Sequence, residues 1–521
     1  MPTNFRDQQY DIAIIGSGIS CSLTLLLFLR KLLSGHHQTG KKITIAVIEK
    51  EKEFWKGFPY GERSSVNSLT ITTLGEFVPD KEKDSFYHWL KTNREKWMDE
   101  MKKKGGEASL SWIKNNLPQM QKDQWDDIYI PRFLFGSYIQ DELNAIIPEA
   151  RLKKLVSVEL IHAEADDLRK RNDCFEISLT ENAQSSQPLK AGRIILAIGS
   201  PPVRPLQDRR VRKDYLYFDD IYQPGIELNI EGTKRVFAGI TEPHKRNILI
   251  IGSNASSLEF LYLFRYKAEL KKLTNRIVTI SYSGLLPHRI TPNNNPDYQF
   301  SHLESLKKRK VYTSTELMNC VQKDLEIAYA KGVHIGDTYY QLSGLVVELL
   351  NQLDEGQQKD FYCRYGMKFT KLIRRAGAEY RDAAEDLLKE KKLELVKGRF
   401  IELKQSSPGF ASFSYQDAAR NKAVVHPLQF PVVINCSGFE ELDSCSSGLI
   451  NSLVRQKLCR INDTNRGFEV TEKFEASDKL YIMGPLLGGI FNSKLRYWHV
   501  ENAKRIYTAG SMLVDNLVNE V

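Results

Sequence analysis

A chain of 521 residues, 41% hydrophobic and 27% charged, has the make-up of an ordinary soluble globular protein with room for two or three domains. Its net charge of +9 is mild, and its lysine runs (Lys102–Lys104, Lys271-Lys272, Lys307-Lys308-Arg309-Lys310) are scattered, which argues against a nucleic-acid or membrane patch. No apolar run approaches the roughly 20 residues of a membrane span, no signal-peptide layout opens the chain, and seven cysteines without a Cys-x-x-Cys pair or zinc spacing point to the reducing cytoplasm, without metal or disulfide-relay chemistry.

The first element is a strand, Ile12–Ile15, within DIAIIGSGISCSLTLLLFL (Asp11–Leu29). It runs into Gly16-Ser17-Gly18-Ile19-Ser20 and then an apolar helix. Glycines in such a turn let the backbone bend tightly and approach a pyrophosphate, while the helix start offers unpaired N–H groups and its positive dipole end. Cys21 stands where a third glycine is usual and reads as a small packing residue, not a catalytic thiol. The next strand, Lys41–Lys50, brings Glu49 and Lys50 to its end, with Glu49 placed to accept hydrogen bonds from a ribose diol. The loop Gly35–Gly40 absorbs the extra length between turn and acid; its His36-His37 pair has no third ligand and reads as exposed.

Helical segments follow over Ser85–Met98 and from Tyr129, then a β-rich stretch over Val156–Leu179. The strand AGRIILAIGSPP stops abruptly after Gly199. A second strand–turn–helix–strand then appears in RNILIIGSNASSLEFLYLF (Arg246–Phe264) and NRIVTISYSG (Asn275–Gly284). Its Gly252, Ser253, Asn254 and Ser257 line up with the first turn, Asn254 replacing the glycine at which phosphate approaches; asparagine tolerates unusual backbone angles. Two such units predict two Rossmann-like sheets. From Leu317 to Leu395 the pattern is helical; FPVVINCSGFE and LYIMGPLLGG then read as buried strands before a terminal helix. No Gly-x-Ser-x-Gly elbow or Walker loop is present, and the Asp126-Asp127 and Asp166-Asp167 pairs carry no acid/base signature.

The two turns, the strand IILAIGSPP and the C-terminal NCSG…YIMGPLLGG resemble two-dinucleotide-domain flavoproteins related to flavin-containing and N-hydroxylating monooxygenases. With GFPYGERSSVNSLTITT, FYHWL, YIPRFLFGSYI and SGLLPHR, the chain more closely resembles the bacterial FAD/NAD(P)-binding-protein family, over nearly its whole length. The resemblance implies an α/β fold of two Rossmann-like dinucleotide-binding domains, the FAD domain discontinuous and completed by the C-terminus, with a helical insertion. The expected divisions are 1–215 for the first part of the FAD domain, 245–316 for the NAD(P) unit, 317–400 for the insertion and 430–521 for completion of the FAD domain. It further implies FAD on Gly16 to Ser20 and Glu49, with its flavin end near Gly57, Tyr60, Asn67, Ser68 and Arg132 and near Gly484, Pro485, Leu486 and Gly488.

NADPH or NADH would occupy the second turn and reduce the flavin, which activates O2 to oxygenate a small molecule. Tyr282 stands where the related segment carries an arginine, and His244 falls one residue beyond the flavin-monooxygenase histidine spacing. A flavin oxidase or dehydrogenase without hydroxylation, and a non-catalytic FAD-bound scaffold, stay open. So do the catalytic acid or base, the substrate and the oligomeric state.

Overall fold

The computed structural model describes residues 9–36, 41–181, 184–185, 187–207, 213–291, 295 and 297–520. His37 to Gly40, part of the loop expected to absorb the extra length after the first helix, lie outside them. In chain order the elements used below begin with β1 (Gln9–Ile15), α1 (Ile19–Lys31), β2 (Ile43–Glu49), α2 (Arg132–Leu152) and β3 (Val156–His162). Next come β4 (Glu164–Arg171), β5 (Cys174–Glu181), β6 (Leu189–Leu196), β7 (Leu216–Phe218), β8 (Asn247–Ile251), α3 (Ala255–Arg265) and β9 (Arg276–Ser281). The remainder are α4 (Ser314–Ala330), α5 (Ile335–Gln352), α6 (Gly366–Leu372), α7 (Ala378–Lys389), β10 (Leu393–Ser407), β11 (Phe410–Asp417), β12 (Lys422–Val425), β13 (Val432–Asn435), β14 (Glu475–Ser477), β15 (Leu480–Ile482) and α8 (Ala503–Leu517).

The first sheet runs β14-β15-β6-β1-β2-β3, with the antiparallel β4–β5 hairpin joined to it through β6. Its centre is parallel: Ile12 to Ile15 pair with Ile45 to Ile48 on one side and Arg193 to Leu196 on the other. Strands covered on both faces need continuous apolar runs, as in IAII and ITIAVI. Helix α1 is buried on nearly all sides for the same reason, since α2 and α8 also pack against it. At the α8 contact a side chain on Gly510 would stand 3.3 Å from Thr24 Oγ1.

The second sheet runs β12-β11-β10-β9-β8-β13-β7. Its parallel part pairs Ile277 to Ile280 with Ile248 to Ile251, and Val432 to Asn435 with Ile248 to Ile251 on the far side. Two expected boundaries shift here. Strand β13 belongs to the second sheet, so the return to the first domain comes after it rather than at 430: Ser452 and Gln456 bond to Asp167 of β4, and the chain re-enters the first sheet at β14–β15. Strand β10 pairs with β9, so the helical insertion stops before 393. Apolar pattern alone places a strand in some sheet; only pairing decides which one. The insertion carries its own core, in which Leu317, Val321, Leu325, Leu342, Val346 and Phe361 are buried together.

Candidate functional site

The turn after β1 is built by hydrogen bonds that leave its outer face bare. Gly16 N–H donates to Ile48 O at 2.8 Å, and Ala197 N–H donates to Ile15 O at 2.8 Å. Gly16 has φ +91°, and a Cβ there would lie 2.6 Å from Ala197 O, so the bend excludes any other residue. Gly18 is the helix N-cap with extended backbone (φ −70°) and no side-chain cap. The first-turn N–H groups of α1 therefore have no protein side chain on them, which is the arrangement that accepts phosphate. Gly57 (φ +63°) crosses close by, a Cβ on it falling 3.0 Å from Gly18 Cα.

Glu49 is nearly fully buried beside this turn. Its Oε2 accepts from Ser17 N–H and Ser17 Oγ–H, both at 2.8 Å, while Oε1 accepts only from Glu51 N–H at 2.9 Å. Oε1 thus keeps acceptor capacity for a ribose hydroxyl. Lys50 is exposed and lies 3.7 Å from Glu164. Ser20 packs on Gly484, which has φ +81° and would place a Cβ 3.1 Å from Ser20 Cβ. The C-terminal segment Gly484-Pro485-Leu486 is therefore seated on the start of α1, held by Phe468 N–H donating to Leu486 O and Gly488 N–H to Pro485 O. Cys21 is fully buried, and burial pushes its thiol far up, as a packing role requires. A bare turn, an uncapped helix and a ribose-facing carboxylate fit the pyrophosphate and ribose of FAD.

The second turn repeats the two backbone hydrogen bonds of the first but not its serine–carboxylate contact. Gly252 (φ +108°) donates to Ile280 O at 2.9 Å, Cys436 N–H donates to Ile251 O at 2.8 Å, and a Cβ on Gly252 would collide with Cys436 O. Asn254 occupies the N-cap place of Gly18, also extended (φ −97°), exposed and with no side-chain cap bond. Asparagine's tolerance of unusual angles is not needed, because any residue adopts this backbone. The replacement adds a side chain at the phosphate approach and leaves the fold alone. Ser253 Oγ donates to Leu285 O at 2.8 Å, and buried Ser257 Oγ has no partner among the described residues. Since Gly16 and Gly252 reach Ile48 and Ile280, the counterpart of Glu49 is Ser281, and Tyr282 is 82% exposed. Arg289 and Arg276 are paired with Asp382 and Glu394.

The residues expected at the flavin end divide. Gly57 and buried Tyr60 lie along the first turn's side of the molecule, with Tyr60 against Phe77 and Phe135. Burial pushes the Tyr60 phenol up to about 12. Asn67 has both ends of its amide bonded, donating to Gly105 O at 2.9 Å and accepting from Ser109 Oγ at 2.7 Å. Gly199 has φ +81° and open space where a side chain would be.

Ser68 and Arg132 meet a residue that sequence reasoning missed. Glu259, 2% exposed, accepts from Arg132 Nη2 at 2.8 Å on both oxygens, from Ser68 Oγ at 2.5 Å and from Tyr222 OH at 3.0 Å. Burial works against the Arg132 charge, but Glu259 together with Tyr380, Tyr222 and Tyr60 outweighs it and holds the guanidinium firmly protonated. Burial, then Glu259, pushes the Tyr222 and Tyr380 phenols up. Tyr380 in turn bridges both backbone groups of Leu69. The signal was available: Glu259 is the lone acid in LEFLYLF, and a buried acid needs a cation.

Glu379, near the start of α7, was also missed. Its Oε2 is buried without a partner among the described residues, and burial first, then Asp382, pushes its carboxyl up to about 7 against the pull of Arg289. A raised carboxyl favours the folded state fully below its unfolded value near 4.5 and loses that advantage as pH rises through about 7. Glu379→Gln should therefore be near neutral for stability at pH 5 and stabilising at pH 8, by at most about 3 kcal/mol. Urea unfolding at the two pH values checks this; an equal effect at both would sink it. A surface cleft of about 490 Å³ lined by Asp84, His88, Trp89, Asn93 and Glu142 holds none of the residues expected to bind a cofactor.

Among the described residues no group of acids, histidines and cysteines could hold a metal, and no helix is long and apolar enough to cross a membrane. All seven cysteines are free thiols.

Comparison with known proteins agrees with this geometry. Residues 13–201 match the FAD-NAD(P)-binding family. A cadaverine monooxygenase of desferrioxamine biosynthesis from Erwinia amylovora, solved with FAD, superposes with a TM-score of 0.56 at 12% identity, covering 98% of this chain and 95% of that one. An ornithine N-hydroxylase from Kutzneria sp. 744, solved with reduced FAD and NADP+, gives 0.57 at 11% identity, covering 98% and 100%. At such identities the likeness establishes the fold: that of flavin-dependent N-hydroxylating monooxygenases. Uncharacterized proteins of Mycobacterium tuberculosis and Mycobacterium bovis are 37% identical over 511 residues, 98% of this chain and 95% of each relative. The chain belongs with them to one family of FAD/NAD(P)-binding proteins.

Proposed function

We propose that the protein is a cytoplasmic FAD-dependent oxidoreductase in which NADPH or NADH reduces FAD and O2 then oxygenates a small molecule. The observation that carries the reading is that the second turn repeats the backbone hydrogen bonds of the first, each with an uncapped helix start. When bound, FAD supplies hydride acceptance and oxygen activation, chemistry that no side chain provides. Gly16 to Ser20 would bind its pyrophosphate and Glu49 its ribose, while Gly484 to Gly488, seated on Ser20, would cover the site and exclude water. Gly252 to Asn254 and Ser257 would hold the nicotinamide nucleotide. Ser281 in place of a ribose-binding acid adds no negative charge against a 2′-phosphate, which favours NADPH.

The free thiols support a reducing compartment and give a disulfide-relay reading no paired cysteines to work with. Purified protein should be yellow, bleach anaerobically with NADPH faster than with NADH, and recolour when O2 is admitted. Failure of both nucleotides to bleach bound flavin would overturn the nicotinamide-dependent reading and favour an oxidase that draws electrons from its substrate.

A further inference from the structure

Where the helical insertion meets the C-terminal segment, cations gather without matching acids. Lys371 at the end of α6, Arg374 just beyond it and Arg466 have no ion-pair partner among the described residues. Burial, then Arg374, Arg466 and Arg204, pushes the Lys371 ammonium down. Arg505, in the first turn of α8, donates from Nη1 to both His499 Nε2 and His499 O at 3.0 Å. The acids facing the group are Glu501 and Glu441, and Glu441 pairs with Arg204 instead, at 3.4 Å.

The Arg505 contact fixes the histidine. A guanidinium only donates, so Nε2 accepts and the ring proton sits on Nδ1. Burial, then Arg505, Arg374 and Arg466, pushes this imidazole down to about 3, so it is neutral across the physiological range. Its Nδ1–H and the adjacent Trp498 Nε1–H are both buried with no acceptor among the described residues. Trp498 is itself locked by the insertion: its ring lies 5.0 Å from that of Tyr362, and a Cβ on Gly366 would fall 2.8 Å from Trp498 Cβ.

This place adjoins the segment seated on the first turn. A Cβ on Gly467, next to Arg466, would fall between Leu486 O and Gly488 O, and Gly489 N–H donates to Tyr497 O at 2.7 Å. Buried donors without acceptors and cations without counter-charges are costly in a folded chain unless a ligand supplies both. An acceptor-rich anion does so.

We propose that Lys371, Arg374, Arg466 and Arg505, with the Trp498 and His499 N–H donors, form the subsite that takes the carboxylate or phosphate group of this protein's substrate. The inference rests on the oxidoreductase reading above and names its substrate class. It sets the chain apart from the cadaverine enzyme that shares its fold, since a diamine without an acid group would meet only like charge here.

The test titrates FAD-loaded protein with inorganic phosphate at constant ionic strength, reading the flavin spectrum and the thermal midpoint. Wild type should bind saturably. The double variant Arg374→Gln/Arg466→Gln should bind at least tenfold more weakly with unchanged FAD content, and Lys371→Gln, whose side chain reaches the group from a solvent-accessible position, about threefold more weakly with an unchanged thermal midpoint in the absence of phosphate. Equal phosphate binding by wild type and both variants overturns the site. Weakened NADP+ binding in the double variant, with NAD+ unaffected, overturns the substrate assignment and gives the anion to the nucleotide's 2′-phosphate. A wild type that takes up no FAD defeats the oxidoreductase reading alone, because the thermal response to phosphate is still measurable.

Discussion

Gly18→Asp is expected to yield a protein that folds at least as well as the native chain yet carries no flavin. The backbone at Gly18 is extended, and a Cβ there makes only an ordinary 3.6 Å contact with Gly57 Cα, so the folded chain accepts a side chain. Aspartate is among the best N-cap residues, and its carboxylate would satisfy the bare N–H groups of α1 that no side chain now caps. Relative to glycine this should add a few tenths to about 1 kcal/mol. The same carboxylate occupies the N–H groups a pyrophosphate needs and repels its charge, so FAD affinity should fall by about 100-fold or more (roughly 3 kcal/mol). Absorbance of the purified variant, FAD titration and thermal unfolding check both halves. A yellow Gly18→Asp protein with native flavin content would remove the first turn from the site. Gly16→Ala is the contrast: at φ +91° against Ala197 O it should lose stability and flavin together.

Arg132→Ala should cost about 3–5 kcal/mol, because it leaves the Glu259 carboxylate buried and unpaired. The loss should be recovered in large part by the double replacement Arg132→Met/Glu259→Leu, which removes both charges and keeps apolar volume. The pair joins α2 of the first domain to α3, the helix behind the second turn, so it fixes how the two nucleotide units face each other. Denaturant unfolding followed by flavin release and by backbone signal reads the effect. If Arg132→Ala stays within 1 kcal/mol of wild type, the ion pair does not hold the junction. FAD content of the double variant separates roles: retention means Arg132 serves the junction, and loss means it also contacts flavin.

How far the sequence carried depended on whether the determining contacts were local. Gly16 and Gly252 were legible because a left-handed bend between a strand and a helix admits little but glycine, and that constraint is written in adjacent residues. Glu49 was legible because it ends the neighbouring strand, one turn of chain away in the fold. Arg132, Asn67 and Ser68 were placed at the flavin end by resemblance, but their hydrogen bonds are to Glu259, Gly105 and Ser109, partners that spacing does not announce.

The amino-acid pattern by itself determined two strand–glycine turn–helix units, the absence of paired cysteines and the small packing role of Cys21, since each follows from backbone sterics, spacing or side-chain volume. Tertiary structure alone decided that β13 joins the second sheet, that Ser281 rather than Tyr282 is the second unit's counterpart of Glu49, and that Glu259 finds Arg132. It alone gathered Arg374, Arg466 and Arg505 around His499, with Lys371 next to the first two, from an insertion and a C-terminus far apart in the chain. Pairing register, burial and charge compensation are properties of residues brought together by the fold, and no window of sequence contains them.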